Sequence, residues 1–443
     1  MKAPVEFEDL GNLPNGWTWQ PLQKLTAKPR QHVVDGPFGS NLKASEYVNK
    51  GVPIARLQNI DRNEFIHKNI RFITDDKAQQ LARHEFKAGD ILVTKLGDPL
   101  GKACIVPPLI GSGVIVADLV RVRADEQKVD RKYLTYAINS PAVIRQLKRH
   151  TKGTTRPRVN LGVIRELPIP VAPRDQQAPI VAEIEKQFSC LDQVGGNLKQ
   201  LKGKLKRYRA SVLKFFYSGG TMGEELPPGW KWTTIGEQFA VEVGATPSRK
   251  QSTYWSGQIP WVSSGEVQFG RIKQTAETIT DEGHANSSTK LNPAGSVLLG
   301  MIGQGRTRGQ AAILDIEAAN NQNCAAIWVS KTETPPEFVY YWLMSQYEAT
   351  RRVGSGNNQQ AMNKSLVQRL PIPWPRSIAD QRRLVERVEE RLSVVDEMET
   401  QVRTNLARIE RLRQIVLLRS FRSYSGAEEH GQGSNASQTR DSL

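Results

Sequence analysis

Eight polar loops carry the residue types that could do chemistry in this chain. In the first half they lie at 35–43, 56–59, 95–102 and 153–158; in the second at 244–250, 263–266, 303–310 and 354–360. Arg and Lys can donate to guanine O6 and N7, Asn and Gln can pair with adenine N6 and N7, and Glu can accept from the cytosine amino group. Ser, Thr and Gly amides hold phosphates. On that chemistry the candidate DNA-contacting residues are Arg56, Gln58, Asn59, Lys95, Lys102, Arg156 and Arg158 in the first half. In the second they are Arg249, Lys250, Glu266, Arg306, Arg308, Gln310 and Asn358. Any one of these loops, taken alone, reads as an ordinary solvated turn. Their recurrence at matching places in two divergent halves is what gives them weight.

Charge points the same way. The 443 residues hold 61 Lys and Arg against 45 Asp and Glu, a net charge of +16, with a pI near 9.7. A polyanionic partner is expected, nucleic acid first and an anionic membrane second. Catalytic signatures fail one by one. Gly97 to Lys102 resembles a phosphate loop but has three residues rather than four between Gly97 and Gly101, and Ala103 follows it. Gly303-Gln304-Gly305 lacks the third glycine of a dinucleotide turn. Asn292-Pro293-Ala294 is the nearest approach to an amino-methyltransferase element and does not fit; no HExxH or GxSxG occurs. Three scattered cysteines and six scattered histidines indicate neither a disulfide framework nor a metal site. With no signal-peptide pattern and no apolar run of spanning length, a cytoplasmic protein with no membrane partner is expected.

The elements that must position these loops come in a repeat. Leu13-Pro14-Asn15-Gly16-Trp17-Thr18-Trp19 returns as Leu226-Pro227-Pro228-Gly229-Trp230-Lys231-Trp232, and Leu167-Pro168-Ile169-Pro170 returns as Leu370-Pro371-Ile372-Pro373. Each second motif stands just before a long charged helical stretch. The period is far too long for a solenoid, so two whole domains are duplicated. Short β-type runs such as 91–94, 103–106 and 297–299, with helices near 132–148 and 337–352, make each globular part a mixed α/β domain.

Both helical stretches carry one seam. Val194, Leu198, Leu201, Leu205, Tyr208, Val212 and Phe215 alternate in steps of four and three, and Ile184 to Val212 maps onto Val388 to Val416 at an offset of 204. Helices of about 44 residues, on the order of 65 Å long, would pack most economically side by side and antiparallel, as a rigid spacer. Asn405 stands where the first copy has Leu201; either it fixes register or Leu406 takes over the contact. Gly195, Gly196 and Gly203 suggest a kink or close crossing rather than a break. Lys199, Lys202, Lys206, Arg207, Arg209, Arg403, Arg408, Arg411 and Arg413 admit two readings, phosphate contact or a solvated, partner-binding face.

In their order, these motifs resemble the specificity subunit of type I restriction-modification enzymes. The resemblance runs from the Leu-Pro-x-Gly-Trp openings at Leu13 and Leu226 to about Arg422. It is closest at 35–43, 244–255 with Ile259-Pro260-Trp261-Val262, 302–312 and Asn321-Gln322-Asn323, and at Asp175-Gln176-Gln177 and Asp380-Gln381-Arg382 where the helices start. The first half departs at Val116-Ala117-Asp118-Leu119, opposite Asn321-Gln322-Asn323-Cys324.

The resemblance implies an α+β fold: target-recognition domains at 1–172 and 220–375, and helices at 173–219 and 376–424 forming an antiparallel coiled coil; the tail at 425–443, rich in Gly, Ser, Asn and Gln, lies outside it and is expected from its composition to be disordered. It implies a non-catalytic subunit that reads one half of a bipartite asymmetric double-stranded DNA site with each domain. Two modification subunits would bring S-adenosylmethionine for adenine N6 methylation. Restriction subunits would bring ATP and Mg for translocation and cleavage, and this chain itself would hold no cofactor. Two alternatives stay open: the specificity subunit of a modification-only or phage-defence methyltransferase, and a coiled-coil scaffold that reads nothing.

Overall fold

The computed structural model describes residues 10–38, 41–153, 156–218, 226–303, 307–352 and 362–421. They form two compact units, one from the stretch up to Asn197 together with the chain from Asn405 onward, the other from Leu198 to Thr404. Arg306, Asn358 and the tail at 425–443 lie outside the described residues.

In the first unit the Leu-Pro-Ile-Pro strand Pro168–Val171 pairs antiparallel with Thr18–Pro21, so the two motifs that recur in sequence are neighbours in space. Beside them is a four-stranded antiparallel sheet in the order Val33–Asp35, Leu119–Val122, Ile91–Thr94, Ala103–Ile105. Its inner strands Leu119–Val122 and Ile91–Thr94 are buried along their whole length, because helices cover one face and a second sheet the other. That suits the apolar Ile91-Leu92-Val93 run, and the one charge in the other strand, Arg121, donates to the Gln31 carbonyl at 2.6 Å. The second sheet, Arg71–Ile73, Val52–Ala55, Ser112–Ile115, Glu85–Lys87, contains one parallel pair, Val52–Ala55 with Ser112–Ile115.

The second unit repeats this plan. Lys231–Thr234 pairs with Pro371–Trp374. A five-stranded sheet runs Val241–Val243, Cys324–Ile327, Val297–Gly300, Ala311–Leu314, Gly270–Ile272, and a three-stranded sheet is centred on Trp255–Val262. The helix expected near 132–148 is divided into Arg131–Asn139 and Pro141–Arg149. Pro141 cannot continue the first helix, and Ser140 caps the second by accepting from the Val143 amide.

The long helices span Arg174–Tyr217 and Ile378–Ser420. Their antiparallel packing is visible inside each unit. In the first, Arg413 bonds Asp192, while Ile409 lies where a side chain on Gly195 would meet it. In the second, Arg209 bonds Asp396 and reaches Glu399 at 3.1 Å. Asp192 and Arg209 become Asp396 and Arg413 at the repeat offset of 204, so one interhelical ion pair is built twice. For these two arginines the phosphate-contact reading is thereby replaced by a structural one.

Three expectations change. The helical seam is buried only in part: Leu205, Val212, Val388, Leu392, Val395, Val402 and Ile409 are inside, while Val194, Leu201, Tyr208, Met398 and Leu412 are 36–49% exposed. Two helices bury one line of contacts, and the second row stays open. Asn405 is exposed and Leu406 half-buried, which settles for the packing reading over a buried polar register key. The first helix also carries its glycines without a break, and an added methyl would find space at all three, so no close crossing requires them.

Candidate nucleic-acid interface

In the first unit, the loop beginning at Asp35 leaves the edge strand where Asp35 faces Val120. Lys95, at the end of the central strand, reaches across so that its Nζ stands 2.6 Å from Asp35 Oδ2; the two side chains are only 12% and 11% exposed. His84 Nδ1 lies 2.6 Å from the Asp35 carbonyl oxygen. The loop at 95–102 closes as a hairpin through Thr94 N to Lys102 O (2.9 Å) and Gly101 N to Thr94 O (3.1 Å). The chain around Arg158 is laid against it, bridging Leu96 and Lys152, with Val159 N donating to Lys95 O at 3.0 Å.

Between these loops opens a cleft of about 1550 Å³ whose walls carry six Arg and Lys against three carboxylates, Asp35, Asp118 and Glu166. A concave, cation-lined wall concentrates field on an anionic ligand. Arg165 is fixed there by donating Nε and Nη2 to Val33 O at 3.2 and 2.8 Å, and burial lowers its pKa.

The corresponding loops of the second unit have different chemistry. Arg249 makes a two-toothed pair with Glu277, the Nη2 to Oε2 arm being 2.9 Å. Its guanidinium lies 3.7 Å from the ring centroid of Trp255 and 5.3 Å from that of Trp261. The Arg249 hydrogen bond holds the Glu277 carboxyl below the usual carboxylate range, against a smaller opposing effect of burial. Thr246 Oγ1 donates to Gln322 Oε1 at 2.6 Å. Gln322 is exposed, and its amide donors make no hydrogen bond among the described residues. The loop beneath it is fixed by a buried amide network. Asn292 Nδ2 donates to Asn320 Oδ1 at 2.8 Å, Asn320 Nδ2 donates to the Asn321 and Cys324 carbonyls, and Trp328 Nε1 donates to Asn292 Oδ1.

Among the described residues, no group of three or more His, Cys, Asp or Glu side chains could hold a metal. The Cys324 thiol is pushed up to about 12 by burial, far from a nucleophile. No described helix is long and apolar enough to cross a membrane.

Comparison with known proteins agrees with this geometry. Residues 227–408 match the family model described as the type I restriction modification DNA specificity domain. Over most of its length the chain is also similar to two curated specificity subunits. The putative MjaX subunit of Methanocaldococcus jannaschii is 20% identical, covering 86% of this chain and 88% of that protein. The EcoBI subunit of Escherichia coli is 22% identical, covering 87% and 82%. The chain thus carries a type I restriction modification DNA specificity domain at 227–408 and resembles type I specificity subunits over most of its length. Its fold is that of a solved chain described under complex assembly and conformational transition of the type I R-M system, with a TM-score of 0.68 at 18% identity, covering 93% of this chain and 99% of that one. The role this similarity supports is that of a DNA sequence-specificity subunit, not itself an enzyme.

The candidate residues of this specificity subunit do not share one surface. Lys95 and Arg158 line the first cleft, and the exposed Arg156 stands next to it in the chain. Lys102 turns instead to Asp61 at 3.0 Å. Arg56 donates to the Asn69 carbonyl at 2.6 Å, with exposed Gln58 beside it. Asn59 needs correction. It is fully buried, accepts from the Arg56 amide and donates to the Ile66 and Lys68 carbonyls, so its side chain shapes the loop and meets no base.

Glu266 is half-buried, and its carboxylate accepts from Ser263 N, Ser263 Oγ and Ala276 N, which ties it to its own loop. Arg308 is half-buried and donates to Arg351 O at 2.9 Å, Gln310 is half-buried, and Lys250 is exposed. Sequence reasoning passed over Phe38, Arg83, Arg165 and Gln322 as individual residues. Asp35–Phe38 and Asn321–Asn323 were both visible as motifs, and the missing information was which side chain in each points outward.

Arg158 is exposed and wall-lining, and its side chain makes no hydrogen bond or ion pair among the described residues. Arg158→Ala is expected to weaken binding to all DNA sequences about equally and to reduce the slope of log affinity against log salt by about one. Titrations at several salt concentrations check this; relaxation at a single base pair with an unchanged slope would instead make Arg158 a base reader.

Proposed function

We propose that this specificity subunit reads a two-part, asymmetric double-stranded DNA sequence, one part with each globular domain, with the paired helices fixing the length of the unread spacer. Two modification subunits, carrying S-adenosylmethionine, methylate adenine N6 within the site. Restriction subunits using ATP and Mg cleave DNA whose site is unmethylated. The observation that carries this reading is the contrast between what the repeat keeps and what it changes. The helix ion pairs and the Leu-Pro-Ile-Pro pairing are built twice on one plan. The loops differ: Asp35, Phe38 and Lys95 in one unit, Thr246, Arg249 and Gln322 in the other. A common frame with two different reading surfaces suits two different half-sites, and the open apolar row on the helices supports docking of helical partners.

The test is a map of N6-methyladenine in a methylation-free host expressing this chain with its modification subunit, set against the modification subunit alone. A new two-part motif with a constant gap is the expected result. A soluble co-purifying complex that adds no methylation would favour the scaffold reading.

A further inference from the structure

Phe38 is 67% exposed, an unusual position for a large apolar ring outside the helices. Its exposure is built in. Gly36 is pinned over the neighbouring strand connection, with its amide donating to Leu119 O at 3.1 Å; Pro37 stiffens the next step, and the Asn41 amide closes back on Phe38 O at 3.0 Å. On one side the ring is backed by the Lys95 ammonium, 5.0 Å from its centroid, which Asp35 holds in place at 2.6 Å. Phe38 also lines the cation-rich cleft, beside Arg83, Arg158 and Arg165. A flat apolar face on a rigid base, next to a wall of fixed cations, suits a ligand that is both anionic and flat-faced, which is a nucleotide in a strand.

We propose that Phe38 is a stacking wedge that inserts against a base step of the half-site read by the first domain, while the cleft cations hold the adjacent phosphates. The inference rests on the DNA-reading function proposed above and adds an asymmetry to it. Gly244 approaches the Asn320 carbonyl as Gly36 approaches that of Val116, and two residues further on the second unit has Thr246, not an aromatic ring. Only one half-site should therefore be unstacked.

The experiment uses the full chain assembled with its modification subunit and duplexes of the mapped target with 2-aminopurine at successive positions through both halves. With the unchanged chain, and setting aside the adenines that the modification subunits flip out for methylation, fluorescence should rise at one step in the first domain's half and nowhere in the other. Phe38→Ala should return that step to the duplex level and weaken binding about 10- to 100-fold, with the melting temperature unchanged, while Phe38→Trp keeps both signal and affinity. A bound, methylated target with no bright step in that half besides the flipped adenine, or one whose bright step persists in Phe38→Ala at unchanged affinity, overturns the wedge and leaves the specificity reading standing. Phe38→Ala dissociating the modification subunit would overturn it in favour of a protein contact. Absence of any methylated motif would remove the reading on which it rests.

Discussion

Phe421→Ala is expected to destabilise the first unit by about 3–5 kcal/mol, although the residue lies at the far end of the chain from that unit's sheets. Phe421 is 2% exposed, with its ring edge-on to Tyr133 at 5.3 Å and to Trp17 at 6.4 Å, and Leu417 beside it is fully buried in the same core. Truncating a ring enclosed in this way loses its transfer energy and leaves a cavity that packed helices cannot close. The repeat supplies an internal control. Tyr217 takes the corresponding place in the second unit, against Phe338 at 5.5 Å and Trp342 at 5.4 Å, so Tyr217→Ala should destabilise that unit by a similar amount. Denaturation followed by hydrogen exchange, which assigns protection loss to one unit or the other, separates the two variants. A chain ending at Thr404 should leave the first unit unable to hold its core. If that truncated chain keeps native protection at Ile91–Thr94, the helix end is not part of the core.

This arrangement explains what could be read from the sequence and what could not. The duplicated opening motifs, the Leu-Pro-Ile-Pro strands and the helical offset of 204 rest on local patterns, and each appears in the fold where the pattern put it. Which heptad row is buried did not follow, because Val194, Leu201 and Tyr208 have the same apolar character and spacing as a buried row. Only the partner helix decides which line is covered. Arg209 and Arg413 looked like any basic residue on a charged face until Asp396 and Asp192 were brought opposite them by antiparallel packing. Asn59 was misread for a related reason. A short polar side chain in a loop can serve its own backbone as readily as a ligand, and the full burial of Asn59 decides between the two. Phe38 was hidden because polar residues were the ones sought in DNA-reading loops.

The other large effect is expected from Gly244→Ala. A Cβ at this position would stand 1.8 Å from the Asn320 carbonyl oxygen and 2.4 Å from its carbon, and at Gly36 it would stand 2.1 Å from the Val116 oxygen. These are backbone atoms, and at Gly244 they are held firmly. Thr289 Oγ1 donates to that Asn320 oxygen at 2.9 Å, and the Asn321 amide to Val262 O at 3.0 Å; the Asn320 side chain is tied into the network with Asn292. With no flexible side chain to yield, the clash must be relieved by moving one of the two backbone segments. The expected cost is about 3 kcal/mol or more, at the upper end for overpacking. The moving segment carries Thr246 and Arg249, so methylation directed by the second domain's half-site should fall with stability, and the first domain's unit should keep its own unfolding midpoint.

Two other glycines make the comparison sharp. Gly196 and Gly203 lie within the first long helix with nothing within 4 Å of an added methyl, so alanine there should stabilise the chain by about 1 kcal/mol each. Denaturant midpoints measured on these three variants should therefore move in opposite directions for one chemical change. A neutral Gly244→Ala would mean that the loop is not pressed against the Asn320 carbonyl, and the rigid placement of the second reading surface would fall with it.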